Sequence, residues 1–461
     1  MLCCLALIAL GSLGDVSKHN VTWTALLPEP GVNKEGVPTY HNSMPLGNGN
    51  LAANVNYDAA NDTLAVLLSS AAAWSEDGET MKVGLLRIQL PAGSGAAVLT
   101  GAAAGFAQAF NPQDATVRLS IPAAAGGAAP ALRVVAYADA ATDSIVVSVS
   151  PRVAGVTATL TALRPAAFSR RPSQDCNTYA VSADVLTAGG AMLYHRNALQ
   201  AGDTYYARTF GRLNQKLEPG FADPLLNRTT GVMLAQLSTT AGPGAGADAT
   251  TFAATVLTAQ TETAAAYEAL LTAASAAFVA AQQEAPCLPP PAHSAWWAAK
   301  WAAHSIEVSD NNNKAHSIEV SASASAGAGV ASTTARVSTM YVLQRFLELA
   351  QSRGPSPIKF NGMLYVANRP NPSTHASDFN TWGGLHWWQN ARLPHYNMLT
   401  MYVQLAVAPT PALLLSRPGP PFAFAAAPAL TSSFACSPAP LVPPPARALV
   451  TGATRTSSRT C

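Results

Sequence analysis

The sequence predicts a multidomain chain that is β first and α second. Three observations carry this. Residues from about 20 to 258 hold short β-rich runs punctuated by Gly, Pro, Asn and Asp. From Glu262 onward, alanine-rich stretches free of Gly and Pro take over, and these favour helix. Residues 409–445 are then so rich in proline that helix and central strand are both disfavoured. Many strands in succession without intervening helices point to a large β-sandwich in the first half.

The elements follow in order. Residues 1–14 begin with an apolar run, Met1-Leu2-Cys3-Cys4-Leu5-Ala6-Leu7-Ile8-Ala9-Leu10, followed by the small residues Ser12 and Gly14. That reads as a secretory signal, too short to span a bilayer, although a basic start is missing. The other reading is a buried N-terminal segment. Strands are expected at 63–68, 85–90, 116–121, 132–137, 144–150, 155–162 and 231–237. In 116–121, Val117, Leu119 and Ile121 alternate with polar residues, the period of a half-buried strand. Together they make a β domain over 20–260.

A helix over 262–284 belongs to a helical linker, 261–294. The next helix carries Trp297 and Trp301, four apart and so on one face. A further helix over 336–351 places Val337, Tyr341, Val342, Phe346 and Leu349 at helical spacing, with Glu348 on its surface. Between them Ala303-His304-Ser305-Ile306-Glu307-Val308-Ser309 recurs as Ala315-His316-Ser317-Ile318-Glu319-Val320-Ser321. One repeat is no solenoid; it is a local duplication or an assembly artefact. Residues 322–335 read as a loose Ser/Ala/Gly loop, and 408–461 as a disordered tail.

Composition narrows the function. Of 461 residues only 11% are charged, against about 25% in an ordinary domain, so the surface is poor in charge. With 27 basic and 25 acidic residues the net charge is +2. No basic cluster supports nucleic-acid binding, and no later segment reads as transmembrane, so no membrane is expected once the signal is removed. Cys176, Cys287, Cys436 and Cys461 show no zinc-ligand spacing. No metal and no cofactor is expected, one disulfide is possible, and oligomeric state is not legible. The triplets at Asn20, Asn61 and Asn227 are glycosylation sequons in a secreted chain.

Several motifs could carry chemistry. Asn42-Ser43-Met44-Pro45-Leu46-Gly47-Asn48-Gly49-Asn50-Leu51 is either a hairpin, since Asn-Gly steps favour tight turns, or a loop at a domain interface beside a sugar pocket. Ala73-Trp74-Ser75-Glu76-Asp77-Gly78 sets an aromatic ring beside two carboxylates; an Asp-Gly turn and a core tryptophan explain it equally. In Tyr194-His195-Arg196-Asn197, a lone His195 reads as a satisfied structural histidine. Residues 223–229 read as a turn into the following strand. The densest stretch is 359–396, with Asn361 and then Trp382-Gly383-Gly384-Leu385-His386-Trp387-Trp388-Gln389-Asn390-Ala391-Arg392-Leu393-Pro394-His395-Tyr396. Aromatic rings stack on apolar sugar faces while amides and Arg bond hydroxyls, a mixture that suits a ligand pocket. The alternative is an aromatic core, in which Gln389, Asn390 and Arg392 would need costly satisfaction.

With 43–49, 73–76, 194–197, 223–229, 341–346, 357–362 and 382–394 in that order, the chain resembles domain-of-unknown-function family 5703, which is distantly similar to glycoside hydrolase family 95. The resemblance spans about 20–405. It implies an N-terminal β-supersandwich followed by an (α/α)6 toroid of helical hairpins that holds the sugar site, here a partial toroid over 295–407. It further implies a secreted, fucosidase-like, inverting hydrolase of wall polysaccharides. In such enzymes an asparagine pair positions the attacking water and a carboxylate further along is the general acid. Asn390 matches one asparagine by motif position; the other falls near Trp388, which departs from the pattern.

Inversion needs a proton donor and a means of activating water. Asp378 is the carboxylate nearest the cluster, and no Asp or Glu follows it. The expected site is therefore Asn390 and Asp378 for catalysis. Trp387 and Trp388 stack the sugar, and Trp382, Gln389, Arg392 and Asn361 bind around it. The expected partner is a carbohydrate substrate or ligand. With the acid's position unfilled, the expectation is an impaired hydrolase; the other readings are a non-catalytic carbohydrate-binding or wall-associated protein, or a mispredicted gene product.

Overall fold

The computed structural model describes residues 16–26, 43–99, 105–124, 129–170, 178–187, 189–216, 218–237, 249–283, 289–303, 318–320, 333–353, 358, 363–365 and 389. All of these belong to the first of two compact units, Met1–Val407 and Ala408–Cys461. The expected signal and tail lie outside the described residues.

The strands are β1 (Val21–Trp23), β2 (Met44–Gly47), β3 (Leu51–Asp58), β4 (Thr63–Trp74), β5 (Thr80–Gln89), β6 (Ala107–Asn111), β7 (Thr116–Ile121), β8 (Leu132–Ala138), β9 (Ser144–Ser150) and β10 (Thr157–Thr161). They continue as β11 (Phe168–Arg170), β12 (Tyr179–Val181), β13 (Val185–Leu186), β14 (Met192–Arg196), β15 (Arg228–Leu237), β16 (Thr250–Gln260) and β17 (Ile318–Val320). The helices are α1 (Ala96–Leu99), α2 (Tyr205–Arg212), α3 (Ala264–Gln283), α4 (Pro291–Ala303) and α5 (Thr333–Leu349). Every strand and helix named from the sequence has its counterpart.

Ten strands form one sheet in the order β13-β14-β15-β16-β9-β8-β7-β6-β1-β17, and five form a second, β10-β5-β4-β3-β2. All pairs are antiparallel except β1 with β17. That edge strand, Ile318–Val320, comes from the second copy of the duplicated heptapeptide.

Alternation builds the core. Leu64, Val66 and Leu68 of β4 enter the same cluster as Val117, Leu119 and Ile121 of β7 and Ile145, Val147 and Val149 of β9. The other face of β4 is also covered, with Ala65 and Leu67 packing on Leu85 and Leu163, and Ala71 on Leu364. A strand buried on both faces reads as a continuous apolar run, which is why β4 shows no clean alternation.

Helix α3 covers the outer face of the large sheet. Tyr267, Leu271 and Phe278 recur on one stripe and are buried against Met192, Tyr194, Tyr137, Val146 and Ala253. By length and composition α3 could cross a membrane; here that stripe lies on the sheet. Pro291 stands at the first position of α4, where its missing N–H costs nothing. Trp297 and Trp301 share a buried face as spaced, with ring centroids 6.2 Å apart. Phe346 of α5 lies 5.4 Å from Trp297 and 4.5 Å from Phe110.

One helical expectation is corrected. Glu348 is buried, 2% exposed, and accepts from Gln344 Nε2 at 2.9 Å. Val337 points outward, 47% exposed, because the buried stripe of α5 runs through Val342, Phe346 and Leu349. Among the described residues the helices lie on the β layers and form no ring of hairpins.

Candidate functional site

Of the residues expected to carry function, Gln389 is described and is exposed. Asn361, Asp378, Trp382, Trp387, Trp388, Asn390 and Arg392 lie outside the described residues. Two polar junctions in the β layers, built from the remaining motifs, are described in full.

The first junction forms where β4 turns into β5. Ser75 N–H donates to Glu79 O and Gly78 N–H to Ser75 O, closing the Asp77-Gly78 turn. The turn directs Glu76 inward. Its Oε1 accepts from Ser182 N at 2.9 Å, Ser182 Oγ at 2.6 Å and Ala198 N at 3.3 Å. Its Oε2 faces His195 Nε2 at 3.1 Å. The other imidazole nitrogen faces Asp184 Oδ1 at 3.3 Å. Asp184 Oδ1 also takes Arg164 Nε at 2.7 Å, and Oδ2 takes the N–H groups of Leu163 and Arg164.

All four of these side chains are at most 1% exposed. Burial by itself would raise the Glu76 pKa, but the hydrogen bonds and charge of His195 and the two Ser182 donors override it and bring it down to about 2. For His195, burial by itself disfavours the cation; the bonds to Asp184 and Glu76 outweigh it and raise the pKa. Each imidazole nitrogen faces one carboxylate, and Arg164 Nε also lies 3.2 Å from Nδ1. Asp77 is sealed likewise, by an ion pair with Arg170 and by Ser75 Oγ at 2.5 Å. These carboxylates are inaccessible to a substrate. Their bonds tie the β4–β5 turn to β12, β14 and the 163–164 segment.

Other motif residues converge on the same place. Asn197 Nδ2 donates to Trp74 O at 3.2 Å and Leu225 O at 3.1 Å. Arg228 donates to Ala72 O from Nε at 2.8 Å and from Nη2 at 2.6 Å. Burial pulls the Arg228 pKa down to about 10, so the guanidinium stays charged at neutral pH. Arg196 reaches Thr261 O at 2.7 Å. The structural reading of His195, made from the sequence, agrees with this geometry.

The second junction is the β2–β3 hairpin loop, residues 48–50. Asn48 Oδ1 accepts from the N–H groups of Asn50 and Leu51, while Nδ2 donates to Asp139 O at 2.9 Å and Thr142 O at 2.8 Å. The loop is a hairpin, and its far side docks on the end of α5. Gly49 N–H donates to Ala350 O, and Arg353 N–H donates back to Gly49 O. Arg353 Nη1 donates to Asn48 O at 2.8 Å and Ala140 O at 2.6 Å, with the guanidinium 5.2 Å above the Trp296 ring. Gly49 sits at φ +104°, a conformation that glycine adopts without strain. A Cβ on Gly47 would lie 2.5 Å from Tyr365 Oη and 2.7 Å from Ala350 Cβ.

The short segment Met363–Tyr365 is held by the same face. Lys82 Nζ donates to Leu364 O at 2.6 Å and Ser69 Oγ at 2.7 Å. Asn54 Nδ2 reaches Tyr365 O at 3.3 Å, and Tyr365 donates to Leu46 O at 3.0 Å. Burial raises the Tyr365 pKa, so the hydroxyl keeps its proton and donates.

Lys82, Arg164, Asp184, Arg353 and Tyr365 were not singled out by sequence reading. One signal was present: Lys82 is a charge inside a largely apolar strand run, shared with Arg87, in a chain with few charges. Among the described residues no group of three or more His, Cys, Asp or Glu could hold a metal ion.

A family model described as a domain of unknown function (DUF5703) matches residues 37–306. No curated protein matches. Among solved structures, a protein described as a kojibiose phosphorylase, from the human microbiome, is 7% identical. The match covers 77% of this chain and 46% of that one, with a TM-score of 0.35. The chain thus spans about half the length of that protein.

Proposed function

The chain belongs to the DUF5703 family, and from that premise we propose that it is a glycoside-hydrolase-like protein whose sugar site lies in 382–396, with the β layers as support. One observation carries the reading. The β layers' titratable residues Glu76, Asp184 and His195 are buried and bonded in one chain of contacts through His195. The hairpin loop and Lys82, by contrast, grip Ala350, Arg353 and Leu364, which precede the aromatic cluster in the sequence. This supports a reading in which the chemistry belongs to the cluster and placement to the sheet.

In this reading Trp387 and Trp388 stack on a sugar ring. Trp382, Gln389, Arg392 and Asn361 hold its hydroxyls, and Asn390 orients water. Asp378 supplies a carboxylate. Residues 295–407 contribute helices to a partial (α/α)6 toroid. The parent reaction is inverting hydrolysis of wall polysaccharides, fucosidase-like, by a secreted protein. A second reading, carbohydrate binding without turnover, is favoured by one fact: inversion needs a proton donor, the resemblance puts it after the aromatic cluster, and residues 379–461 contain no Asp or Glu.

The test is a panel of wall glycans offered to the purified full-length chain, with binding followed by calorimetry and cleavage by release of reducing ends. Release with inverted anomeric configuration supports the hydrolase; binding without release supports the second reading. No binding to any glycan by the folded chain overturns both.

A further inference from the structure

We propose that Asn61 is an N-glycan acceptor, and that the fold selects it over the other two sequons. The inference rests on passage through a secretory pathway and is independent of the sugar site. Asn61-Asp62-Thr63 lies at the turn joining β3 and β4, where Asp58 pairs with Thr63 across the hairpin. Asn61 is exposed, and Asp62 takes a left-handed φ of 49° at the tip.

The turn is held without consuming the Asn61 amide. Asp58 Oδ1 accepts from the N–H groups of Ala60 and Asn61, both at 3.2 Å. Thr63 Oγ1 donates to Asn61 O at 2.9 Å, and Gln89 Nε2 donates there at 3.1 Å. Asn61 Nδ2 donates one hydrogen to Asp58 Oδ2 at 2.7 Å. A carboxamide carries two such hydrogens, so replacing one with a sugar leaves the bond to Asp58 intact.

The other sequons are built differently. Asn20 is half-buried, its Oδ1 shut away from solvent, next to His19, whose ring meets Thr339 Oγ1 at 2.9 Å. Asn227 is half-buried, and its carbonyl accepts from Arg196 Nη1. The sequon threonines Thr63 and Thr229 are both buried, so the exposure of the asparagine itself decides. A bulky glycan belongs on surface, and of the three only Asn61 offers it.

The co-reactant is a polyprenyl-pyrophosphate-linked oligosaccharide. The Asn61 amide nitrogen forms a bond to C1 of the first sugar, the C1–oxygen bond to pyrophosphate breaks, and the displaced amide proton balances the lipid pyrophosphate that leaves.

The full chain, fused to an external secretion signal, would be produced in a eukaryotic host. Both medium and cell pool would be treated with peptide N-glycosidase in heavy-oxygen water. The expected result is one downward mobility shift, with Asn61 converted to labelled Asp, and loss of the shift in Asn61→Gln. Thermal melting of Asn61→Gln should match that of the parent produced without glycan in a bacterial host, showing an intact turn. An unshifted parent in both pools overturns the proposal, as does a glycan on Asn20 or Asn227 that persists in Asn61→Gln.

Discussion

The two polar junctions use opposite chemistry for opposite purposes. Around Glu76, His195, Asp184 and Arg164, charges satisfy charges with almost no solvent. Around Asn48, Gly49 and Arg353, a guanidinium and amides mostly meet backbone carbonyls. The first links parts of the β layers to one another. The second links the β layers to the chain that leads toward the aromatic cluster. Damage to the first should therefore cost global stability, while damage to the second should loosen 350–365 and separate stability from sugar recognition.

The largest effect is expected at Asp184. Asp184→Asn leaves Arg164 buried without its carboxylate and replaces one of two acceptor oxygens by an NH2 donor, which then meets donors of Leu163, Arg164 or His195. Breaking a buried pair from one side costs about 3–5 kcal/mol. Urea denaturation would read this as a lower midpoint with an unchanged slope. A loss below about 1 kcal/mol would mean the junction behaves as a surface pair and would end the contrast.

The same junction sets a pH window. His195 has a raised folded pKa, so its contribution is complete below its ordinary 6.5 and is lost as pH rises through the folded value. Glu76 has a lowered one, so its contribution is complete above its ordinary 4.5 and is lost as pH falls through about 2. Both act fully between 4.5 and 6.5. Denaturation midpoints of the parent should fall above that window more steeply than those of His195→Gln; parallel curves would show that His195 is neutral.

An intermediate effect is expected in the second junction. Gly49→Ala puts a Cβ at φ +104° and about 2.5 Å from the Arg353 side chain. Backbone strain of that kind costs about 1–3 kcal/mol. Lys82→Met removes the donors to Leu364 O and Ser69 Oγ, and stranding buried acceptors costs about 1–3 kcal/mol. Hydrogen exchange should show protection lost first around 350–365, with β4 and β9 still protected. Uniform loss across both sheets would merge the two junctions into one cooperative unit.

The sequence made the strands and helices legible because alternation and alanine-rich runs are local signals. It made the hairpin at Asn48-Gly49 legible because the turn chemistry is local too. It hid Asp184 and Arg164, loop residues that no local pattern links to His195, and it hid the pairing of His195 with Glu76 across 119 residues of sequence. Glu348 was misplaced for a related reason: a carboxylate on a helix is ordinarily solvated, and only packing against other elements buries it. The resemblance pointed to the motifs, yet three of them prove to converge on one buried junction, which no spacing announces.

The smallest effect on stability should come from the aromatic cluster itself, and there the comparison becomes sharpest. Trp387→Ala and Trp388→Ala should leave the urea midpoint within experimental error if these rings face a sugar. Glycan affinity should fall about tenfold, equivalent to about 1.4 kcal/mol. A large midpoint loss with unchanged affinity would make the rings a packed core, as the aromatic-core alternative requires. Asp378→Asn completes the test. In the hydrolase it abolishes release of reducing ends while binding persists; in the pure binder it changes neither. With these results the two junctions would acquire distinct roles by experiment: one whose loss unfolds the β layers, and one whose loss weakens the sugar site proposed outside them.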